Sequence, residues 1–452
     1  MKFKLNPHKI FQCKGKEYLY VAETGAIFEV DERTLFMIKN DGDDLESVYS
    51  KVYAEFGMSS AEVVTILRDL HEVKMLGSTS NTVDLKYSLD YLHGIELMVC
   101  QCCNLACTYC YASEGEYNHP GWMPEMVGKE AIDFLFTYTK DDSVSISFFG
   151  GEPLMNISLI RKLVWYANHL ALECNKHIAY SVTTNGTLID ERIADFLKEN
   201  NFYVSLSIDG TPFRHDLCRV DKLGKGSYVD STKSIDLLSE NHVSIRATAT
   251  PKNCDYSEIA NSLYELKETD FYIGEAMNCF TTEESLGMIE KSYLCLIESF
   301  LNDLKNGRRK KCKANSLIYQ NLKKIAYFKE RSCSCPAFIS TVAIDVDGGI
   351  YPCHRFVGSS YRIGNVNTVG IDIHTARQLF AKDFLKKNRK ECSHCWAQNL
   401  CVGGCSYLNW EATSQCNIPN IHKCRLNQYL FEKLIILFLS LTNEQKSWLE
   451  LI

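Results

Sequence analysis

Residues 103–111 read Cys-Asn-Leu-Ala-Cys-Thr-Tyr-Cys-Tyr, and this stretch decides the fold because it sets Cys103, Cys107 and Cys110 at the spacing C-x-x-x-C-x-x-C. A four-iron four-sulfur cube is closed by four protein ligands. A trio of thiolates therefore leaves one iron open to a small molecule, as a catalytic metal site requires. The alternatives are a zinc site or three buried thiols, but zinc motifs usually pair one C-x-x-C with a second pair.

A second run, Gly150-Gly151-Glu152-Pro153, follows residues 143–149, which are apolar and β-branched and indicate a buried strand. Glycines at the carboxyl end of a strand allow the backbone to approach a ligand closely. A carboxylate beside them can accept a hydrogen bond from an ammonium group. Alone, such a run most often forms an ordinary turn, but after the cysteine trio it indicates a ligand site.

Length and composition exclude several classes of protein. With 452 residues the chain exceeds the usual limit of one core, so two or three domains are expected. The net charge of −7 disfavours nucleic-acid binding, and no stretch is long enough to span a bilayer. The amino terminus lacks the apolar core of a signal peptide. We therefore expect a cytoplasmic protein with neither a nucleic-acid nor a membrane partner.

The chain holds 21 cysteines. Because the cytosol keeps thiols reduced, this number indicates metal ligation rather than disulfides. Ten of the cysteines fall into recognisable ligand spacings. Three cubes with one open iron would need about eleven thiolates, so the count fits three iron–sulfur clusters closely.

From about residue 90 to 310, strand and helix patterns alternate, which predicts a parallel sheet covered by helices. Strands are expected near residues 96–99, 143–149, 179–184, 203–208, 244–250 and 271–273. Asn185, Ser207 and Arg219 lie at the carboxyl ends of these strands, where the chemistry of such folds is found. Each is compatible with a turn or surface residue, but their order and spacing favour a common site.

Together these motifs resemble the radical S-adenosylmethionine (SAM) superfamily. The resemblance implies an α/β fold with a partial (β/α)6 barrel, in which Cys103, Cys107 and Cys110 hold a [4Fe-4S] cluster and SAM chelates the open iron. It also implies that Gly150, Gly151 and Glu152 hold the amino group of SAM. The ribose or carboxylate of SAM would be contacted by Asn185, Ser207 and Arg219.

A second cysteine field fills the C-terminal third of the chain, and residues 342–348, between its first two cysteines Cys335 and Cys353, predict a β-hairpin. Its pattern of C, G-x-x-x-x-C, C-x-x-C-x5-C-x-x-x-C and a last C resembles the SPASM domain, which binds two auxiliary [4Fe-4S] clusters. By this resemblance one cluster takes Cys335, Cys353 and Cys405, and the other takes Cys392, Cys395, Cys401 and Cys424. A zinc ribbon is the alternative.

The first auxiliary cluster lacks an obvious fourth ligand. Cys333 lies two residues from Cys335, and Cys312 lies farther away, so either is a candidate. The site is otherwise open to a substrate thiolate. For the second cluster, Cys416 is a less favoured alternative to Cys424 because it lies nearer Cys405 than the last SPASM cysteine usually does.

Residues 1–80 predict a separate module. A hairpin is expected over residues 17–22 and 27–30, followed by helices over 31–39, 45–56 and one that begins at the capping box Ser59-x-x-Glu62. This pattern resembles the winged-helix-like module that recognises the leader of a precursor peptide in many maturases of ribosomal peptides. The alternative is a structural cap on the enzyme.

The resemblance implies three domains at 1–80, 90–310 and 311–452, and a maturase of a ribosomally made peptide. The cluster on Cys103, Cys107 and Cys110 would cleave SAM to a 5'-deoxyadenosyl radical that abstracts hydrogen from the peptide. The auxiliary clusters would accept the surplus electron, and a thioether between a Cys sulfur and a carbon is the expected product. The implied partners are a precursor peptide with its leader and a low-potential electron donor of the flavodoxin or ferredoxin type.

Three rival functions stay open at this point. An anaerobic sulfatase maturase shares the barrel and the SPASM domain, but generally lacks a module like residues 1–80. Such enzymes also carry a catalytic Asp directly after the G-x-x-x-x-C cysteine, where this chain has His354. A carbon–carbon crosslinking or epimerising maturase is compatible with the same motifs. A noncatalytic iron–sulfur or zinc protein would require the elements at residues 150–152 and 219 to be accidental.

Overall fold

The computed structural model describes residues 2–76, 91–238, 241–368, 377–378 and 383–452. Within these ranges the chain forms two compact units. The first comprises residues 2–76, 318–334 and 385–452, and the second comprises residues 91–317 and 335–384. Each unit is therefore assembled from segments that are far apart in the chain. The domain limits expected from sequence stay a prediction.

Thirteen strands are present in the described ranges. They are β1 His8–Cys13, β2 Lys16–Val21, β3 Ile27–Glu29, β4 Gly94–Gln101, β5 Gly121–Trp122, β6 Ser143–Gly150, β7 His177–Thr184, β8 Tyr203–Ser207, β9 His242–Ala249, β10 Phe271–Glu275, β11 Thr341–Ile344, β12 Gly349–Tyr351 and β13 Gly364–Asn365.

Helices cover much of the rest of the described chain. They are α1 Glu32–Lys39, α2 Leu45–Phe56, α3 Ser60–Glu72, α4 Glu125–Tyr138, α5 Ile157–Glu173, α6 Glu191–Glu199, α7 Pro212–Asp216, α8 Tyr228–Leu237, α9 Tyr256–Leu266, α10 Glu283–Lys305, α11 Arg309–Ala314, α12 Ser316–Ala326, α13 Lys390–Ser393, α14 Gln398–Cys401, α15 Ser406–Thr413, α16 Ile421–Ser440 and α17 Asn443–Trp448. Short 3-10 turns lie at Pro153–Asn156, Met277–Cys279, His354–Phe356 and Lys386–Asn388.

The first unit contains an antiparallel sheet in the order β1-β2-β3 and the helices α1 to α3. The predicted hairpin is confirmed as β2 and β3, whereas β1 was not foreseen. Leu19 and Val21 on β2 pack into one apolar core with residues of the three helices. Helix α3 begins with the predicted capping box, in which the Ser59 backbone N–H donates to Glu62 Oε2 over 2.8 Å.

The second unit is built on a sheet in the order β10-β9-β8-β7-β6-β4-β11-β12-β13. All pairs from β10 to β11 along this order are parallel, which confirms the α/β class and the six predicted strands of the barrel. Along β6, Ile146 and Phe148 are buried while Ser147 and Phe149 on the other face are half-buried. Parallel strands bring their carboxyl ends to one edge, and the predicted site residues collect there.

The hairpin predicted at residues 342–348 is confirmed as β11 and β12, which pair antiparallel. Gly348 supplies the turn with φ +83°, a value that favours glycine. Strand β11 also pairs in parallel with β4, with Val342 opposite Ile95. The start of the C-terminal cysteine field is therefore a direct extension of the barrel sheet.

Candidate active site and cysteine clusters

The three cysteines of the first motif lie in the loop that follows β4. Burial raises the pKa of Cys103 to about 12, and the nearby Cys107 and Cys110 add to this rise. The Cys103 Sγ accepts hydrogen bonds from the Leu105 backbone N–H at 3.4 Å and from Asn185 Nδ2 at 3.9 Å. These thiols lie close together, accept hydrogen bonds and need a positive partner to ionise. Such a donor set fits an iron–sulfur cluster.

This cysteine loop is fastened along its length to the segment that carries Arg219. Ala106 N–H donates to the Val220 carbonyl over 2.7 Å, and Thr108 N–H donates to the Cys218 carbonyl over 2.9 Å. The loop is therefore held by backbone hydrogen bonds rather than by a helix or a strand of its own.

Gly150 and Gly151 lie against the backbone that enters the cysteine loop. Gly150 has φ +144°, and a Cβ there would come within 2.1 Å of the Cys100 carbonyl oxygen. A Cβ on Gly151 would come within 2.2 Å of the Cys102 carbonyl oxygen, to which Glu152 N–H donates over 2.9 Å. These glycines are needed for contact between two segments of this chain. Their role toward SAM stays a prediction.

The Glu152 carboxylate is buried and accepts three hydrogen bonds. Thr184 Oγ1 donates to Oε1 over 2.8 Å, Leu154 N–H donates to Oε1 over 3.0 Å, and Asn185 N–H donates to Oε2 over 2.7 Å. Burial raises the pKa of Glu152 to about 7 even though these bonds act in the opposite direction. Glu152 therefore ties the end of β6 to the end of β7, and a SAM ammonium would join a carboxylate that is already well occupied.

Asn185 connects the cysteine loop to the end of β7. Its Nδ2 donates to Asn104 Oδ1 over 2.9 Å, and its Oδ1 accepts from Thr187 N–H over 3.0 Å. Asn104 Nδ2 in turn donates to Thr187 Oγ1 over 2.8 Å. Asn104 was not singled out from sequence, although it lies between Cys103 and Cys107.

Arg219 is buried in an ion pair that the sequence motifs did not reveal. Its Nε donates to Asp209 Oδ2 over 2.9 Å, and the same oxygen accepts from the Tyr109 hydroxyl over 2.6 Å. Asp209 Oδ1 accepts from Thr248 N–H over 2.8 Å, and Asp209 is fully buried. Burial raises the pKa of Cys107 to about 11, with Arg219 lowering it and Asp209 raising it, so this pair lies beside the thiols.

Ser207 ends β8 on the same face as Ser205, which accepts a hydrogen bond from Arg246 Nε over 3.2 Å. Strand pairing sets Ser207 opposite Arg246 on β9. Glu152, Asn185 and Ser207 therefore lie at the ends of the neighbouring strands β6, β7 and β8. Arg219 was expected at a strand end but lies between α7 and α8, where it reaches Asp209 just after β8. The contacts of all these residues with SAM stay predictions.

A second polar pair joins β4 to the start of the C-terminal cysteine field. His354 Nδ1 lies 3.0 Å from Glu96 Oε2, which also accepts from the His354 backbone N–H over 2.8 Å. Burial alone would raise the pKa of Glu96, but His354 holds it below its usual value. The imidazole stacks on Phe149 with 4.2 Å between ring centroids. Glu96 was missed because nothing in its strand pattern distinguishes it.

Four cysteines of the C-terminal field gather in the first unit: Cys392, Cys395, Cys401 and Cys424. Burial raises the pKa of Cys424 to about 12, and the other three thiols add to the rise, which shows that they lie close together. Asn427 Nδ2 donates to Cys401 Sγ over 3.2 Å, and Gln428 Nε2 donates to Cys395 Sγ over 3.5 Å. The donor set again fits an iron–sulfur cluster.

The remaining predicted ligands fall in both units. Cys335 and Cys353 belong to the second unit, whereas Cys333 and Cys405 belong to the first. Burial raises the pKa of Tyr111, and both Cys110 and Cys353 add to this rise, so Cys353 lies near the first motif. Their ligand roles stay predictions.

Two alternative ligands are deeply buried in the structure. Cys312 is 1% exposed and lies 3.6 Å from the Phe300 carbonyl, while Cys416 is also 1% exposed. Within the described ranges, no group of three or more His, Cys, Asp or Glu side chains could hold a single metal ion. None of the described helices is both long enough and apolar enough to cross a membrane.

Comparison with known proteins identifies two families. Residues 97–253 match the model of the radical SAM superfamily. Residues 333–396 match the model of the SPASM iron–sulfur cluster-binding domain. Cys401, Cys405 and Cys424 lie beyond the second matched range.

Two relatives show how far the likeness extends. An uncharacterized protein of Methanocaldococcus jannaschii is 38% identical over 172 residues, which is 38% of this chain and 57% of that protein. The cysteine-type anaerobic sulfatase-maturating enzyme of Clostridium perfringens is 28% identical over 328 residues, which is 67% of this chain and 85% of that enzyme.

Two solved structures share the fold. The structure of anSMEcpe with bound AdoMet and Cp18Cys peptide matches with a TM-score of 0.64 at 22% identity. The match covers 78% of this chain and 100% of the anSMEcpe chain. Streptococcus suis SuiB bound to the precursor peptide SuiA matches with a TM-score of 0.50 at 16% identity. The match covers 92% of this chain and 98% of the SuiB chain. At these identities the likeness concerns the fold alone.

Proposed function

Because this chain is a radical SAM enzyme with a SPASM domain, we propose that it modifies a ribosomally made precursor peptide by joining a Cys sulfur to a carbon atom. The two domains imply a SAM-binding [4Fe-4S] cluster and auxiliary clusters. When bound and reduced, the first of these supplies a 5'-deoxyadenosyl radical from SAM. Asp209, Asn185 and Glu152 hold the cysteine loop and the strand ends in place for these cofactors.

The observation that supports a peptide substrate is an open sheet edge in the N-terminal module. The hydrogen bonds Val21 N–H to Ala26 O and Val30 N–H to Glu17 O fix the register of β2 and β3. In an antiparallel ladder this register turns the backbone groups of Ile27 and Glu29 outward. Within the described residues no strand pairs with that edge, so an extended peptide can add to it.

The opposite edge of the same sheet is covered. Helix α16 lies along β1, where Lys14 Nζ donates to the Ser440 carbonyl over 3.1 Å and Lys9 pairs with Glu432 over 3.0 Å. A leader strand would therefore add to β3 rather than to β1. Phe28 on β3 is 37% exposed, which provides an apolar contact for the leader.

A second candidate, a sulfatase maturase, is favoured by the relative from Clostridium perfringens. Two observations favour the peptide maturase over it. The module with the open β3 edge is built into the first unit, and His354 stands paired with Glu96 directly after Cys353. A sulfatase fragment offered to the enzyme tests this candidate directly, since modification of that fragment in place of the peptide would favour it.

Leader binding is tested by Glu29→Pro, which removes the outward N–H without touching the bonds between β2 and β3. Glu29→Ala is the matched control, because it loses the same exposed ion pair to Lys16 but keeps the N–H. We expect Glu29→Pro to weaken binding of the precursor by roughly 5- to 10-fold, as for one hydrogen bond of about 1 kcal/mol. Titration of a labelled precursor measures this, and equal affinities of the two variants would make the module a structural cap.

The bond formed is tested on a short Cys-containing precursor peptide, which is to be sought in the reading frames next to this gene. A thioether removes one hydrogen from carbon and one from the thiol, so the product should be lighter by about two hydrogens per crosslink, with one Cys resistant to alkylation. Mass spectrometry before and after alkylation measures both. The same mass loss with free thiols would indicate a carbon–carbon link, and an unchanged mass would indicate epimerisation.

A further inference from the structure

Tyr20 lies on β2 of the N-terminal module and is completely buried, yet its hydroxyl has no hydrogen-bond partner among the described residues. A buried hydroxyl without a partner is costly, and native structures seldom leave one. Burial raises the pKa of Tyr20, and the Cys395 thiol adds to the rise, so this hydroxyl lies near the four-cysteine group. Tyr20 therefore points to a missing acceptor in that place.

The surroundings fix Tyr20 in this position. The rings of Tyr20 and Trp396 pack in a T-shaped arrangement, with centroids 5.8 Å apart and planes at 82°. Asn399 Nδ2 donates to the Ala22 carbonyl over 2.7 Å, so the loop between Cys395 and Cys401 is bonded to the end of β2. The strand that leads to the open edge and the cysteine loop are thus parts of one packed unit.

Two thiols of the four-cysteine group already accept hydrogen bonds from neutral side chains. Asn427 donates to Cys401 and Gln428 donates to Cys395. Outer groups of this kind orient the ligands of a cluster and tune its potential. The unpartnered Tyr20 hydroxyl is a neutral donor group of the same kind.

We propose that the Tyr20 hydroxyl donates a hydrogen bond to a sulfur atom of the cluster held by Cys392, Cys395, Cys401 and Cys424. The inference rests on the proposed ligand set but not on the identity of the peptide. Tyr20 acts through the cluster and is therefore a positioning residue. Because a donor stabilises the more negative, reduced state, it raises the reduction potential of this cluster. The leader-recognition module thereby becomes part of the environment of an auxiliary cluster.

The experiment compares Tyr20→Phe with the wild-type enzyme, both reconstituted anaerobically and assayed first for iron and for SAM cleavage without peptide. A redox titration followed by electron paramagnetic resonance then gives the potential of each cluster. In Tyr20→Phe we expect the equilibrium constant for reduction of the cluster on Cys392 to fall about tenfold. This corresponds to a reduction potential lower by about 59 mV for one electron. The cluster on Cys103 should keep its potential.

Tyr18→Phe is the matched control, because Tyr18 stands two residues earlier on the same face of β2. Asn427→Ala is the positive control, since it removes a donor that is already seen. Identical potentials in Tyr20→Phe and the wild type, with full iron in both, would overturn the proposal. Should Tyr20→Phe fail to load iron, a fluorotyrosine at position 20 replaces it, because it keeps the size of the side chain and donates a stronger hydrogen bond. The reduction potential of the cluster on Cys392 must then rise above that of the wild type, or the proposal fails.

Failure of this proposal and failure of the proposed function give different results. Without a cluster on the four cysteines, Cys392→Ala would retain the full iron content of the wild type. With the cluster present but Tyr20 uninvolved, iron falls in Cys392→Ala while Tyr20→Phe keeps its potential.

Discussion

The two cysteine sites differ in the charges around them. Beside the first motif, burial raises the pKa of Cys103 and of Cys107. Glu152 adds to the rise at Cys103, whereas at Cys107 Arg219 lowers the pKa and Asp209 raises it. Beside the second site, Arg389 acts in the opposite direction and lowers the pKa of Cys392 and of Cys424 against the effect of burial and of the other thiols. Negative surroundings disfavour an added electron and positive surroundings favour it. At the first site the charges of Arg219 and Asp209 oppose each other and Glu152 adds a carboxylate, so we expect the second site, beside Arg389, to be the better electron acceptor.

The two sites also differ in how they are held. The first loop is bound by backbone hydrogen bonds to Val220 and Cys218 and by a buried ion pair. The second is bound by short helices and by side-chain amides of Asn427 and Gln428. An ion pair inside the protein fails when one partner is removed, whereas loss of one neutral amide is tolerated better.

The largest expected effect separates the sites by function. Replacing Cys103, Cys107 and Cys110 together with Ala should remove about four of about twelve irons and abolish SAM cleavage. Replacing Cys392 and Cys395 should remove a similar amount of iron but leave SAM cleavage without peptide intact. Iron analysis and chromatography of 5'-deoxyadenosine measure both. Retention of SAM cleavage in the triple variant would break the central assignment.

Asp209→Asn should cost about 3–5 kcal/mol in the free energy of unfolding, because it leaves the buried Arg219 charge without its partner. Asp230→Asn is the matched control, since Asp230 pairs with Lys233 at the surface and should cost less than about 1 kcal/mol. Denaturant titration of both variants measures the difference. Equal stabilities would show that Tyr109 and the surrounding backbone hold Arg219 without Asp209.

Glu152→Gln should weaken SAM binding by about 10- to 150-fold, as expected for the loss of a charge-assisted hydrogen bond of roughly 1.5–3 kcal/mol. The structure adds a second expectation, because a Gln amide cannot accept from Asn185 N–H and Thr184 at once. Melting temperature should therefore fall as well. Unchanged SAM affinity with a lower melting temperature would show that Glu152 only stabilises the contact between the ends of β6 and β7 and does not bind SAM.

The smallest expected effect concerns the potentials themselves. The cluster on Cys392 should be reduced more readily than the cluster on Cys103, by tenfold or more, which is about 59 mV for one electron. Redox titration of the SAM-free enzyme measures both. An inverted order would show that hydrogen bonds to sulfur outweigh the charges of Arg389 and Glu152.

Sequence alone determined the elements whose signals are local. The six strands of the barrel, the capping box at Ser59 and the turn at Gly348 each depend on a few adjacent residues, and all are confirmed. The cysteine spacings identified both families for the same reason, because ligand spacing is a property of the chain itself. The ligand roles of the single cysteines stay predictions.

Only the tertiary structure decided the contacts between distant segments. Sequence gives no sign that Asp209 would hold Arg219 and Tyr109, or that Glu96 would meet His354, because these pairs form only when strand ends converge. The ion pair of Lys9 on β1 with Glu432 and the bond from Asn399 to Ala22 depend in the same way on segments hundreds of residues apart. Hydrogen bonds and ion pairs act over a few ångströms in space, and the fold, not the order of residues, decides which groups come that close.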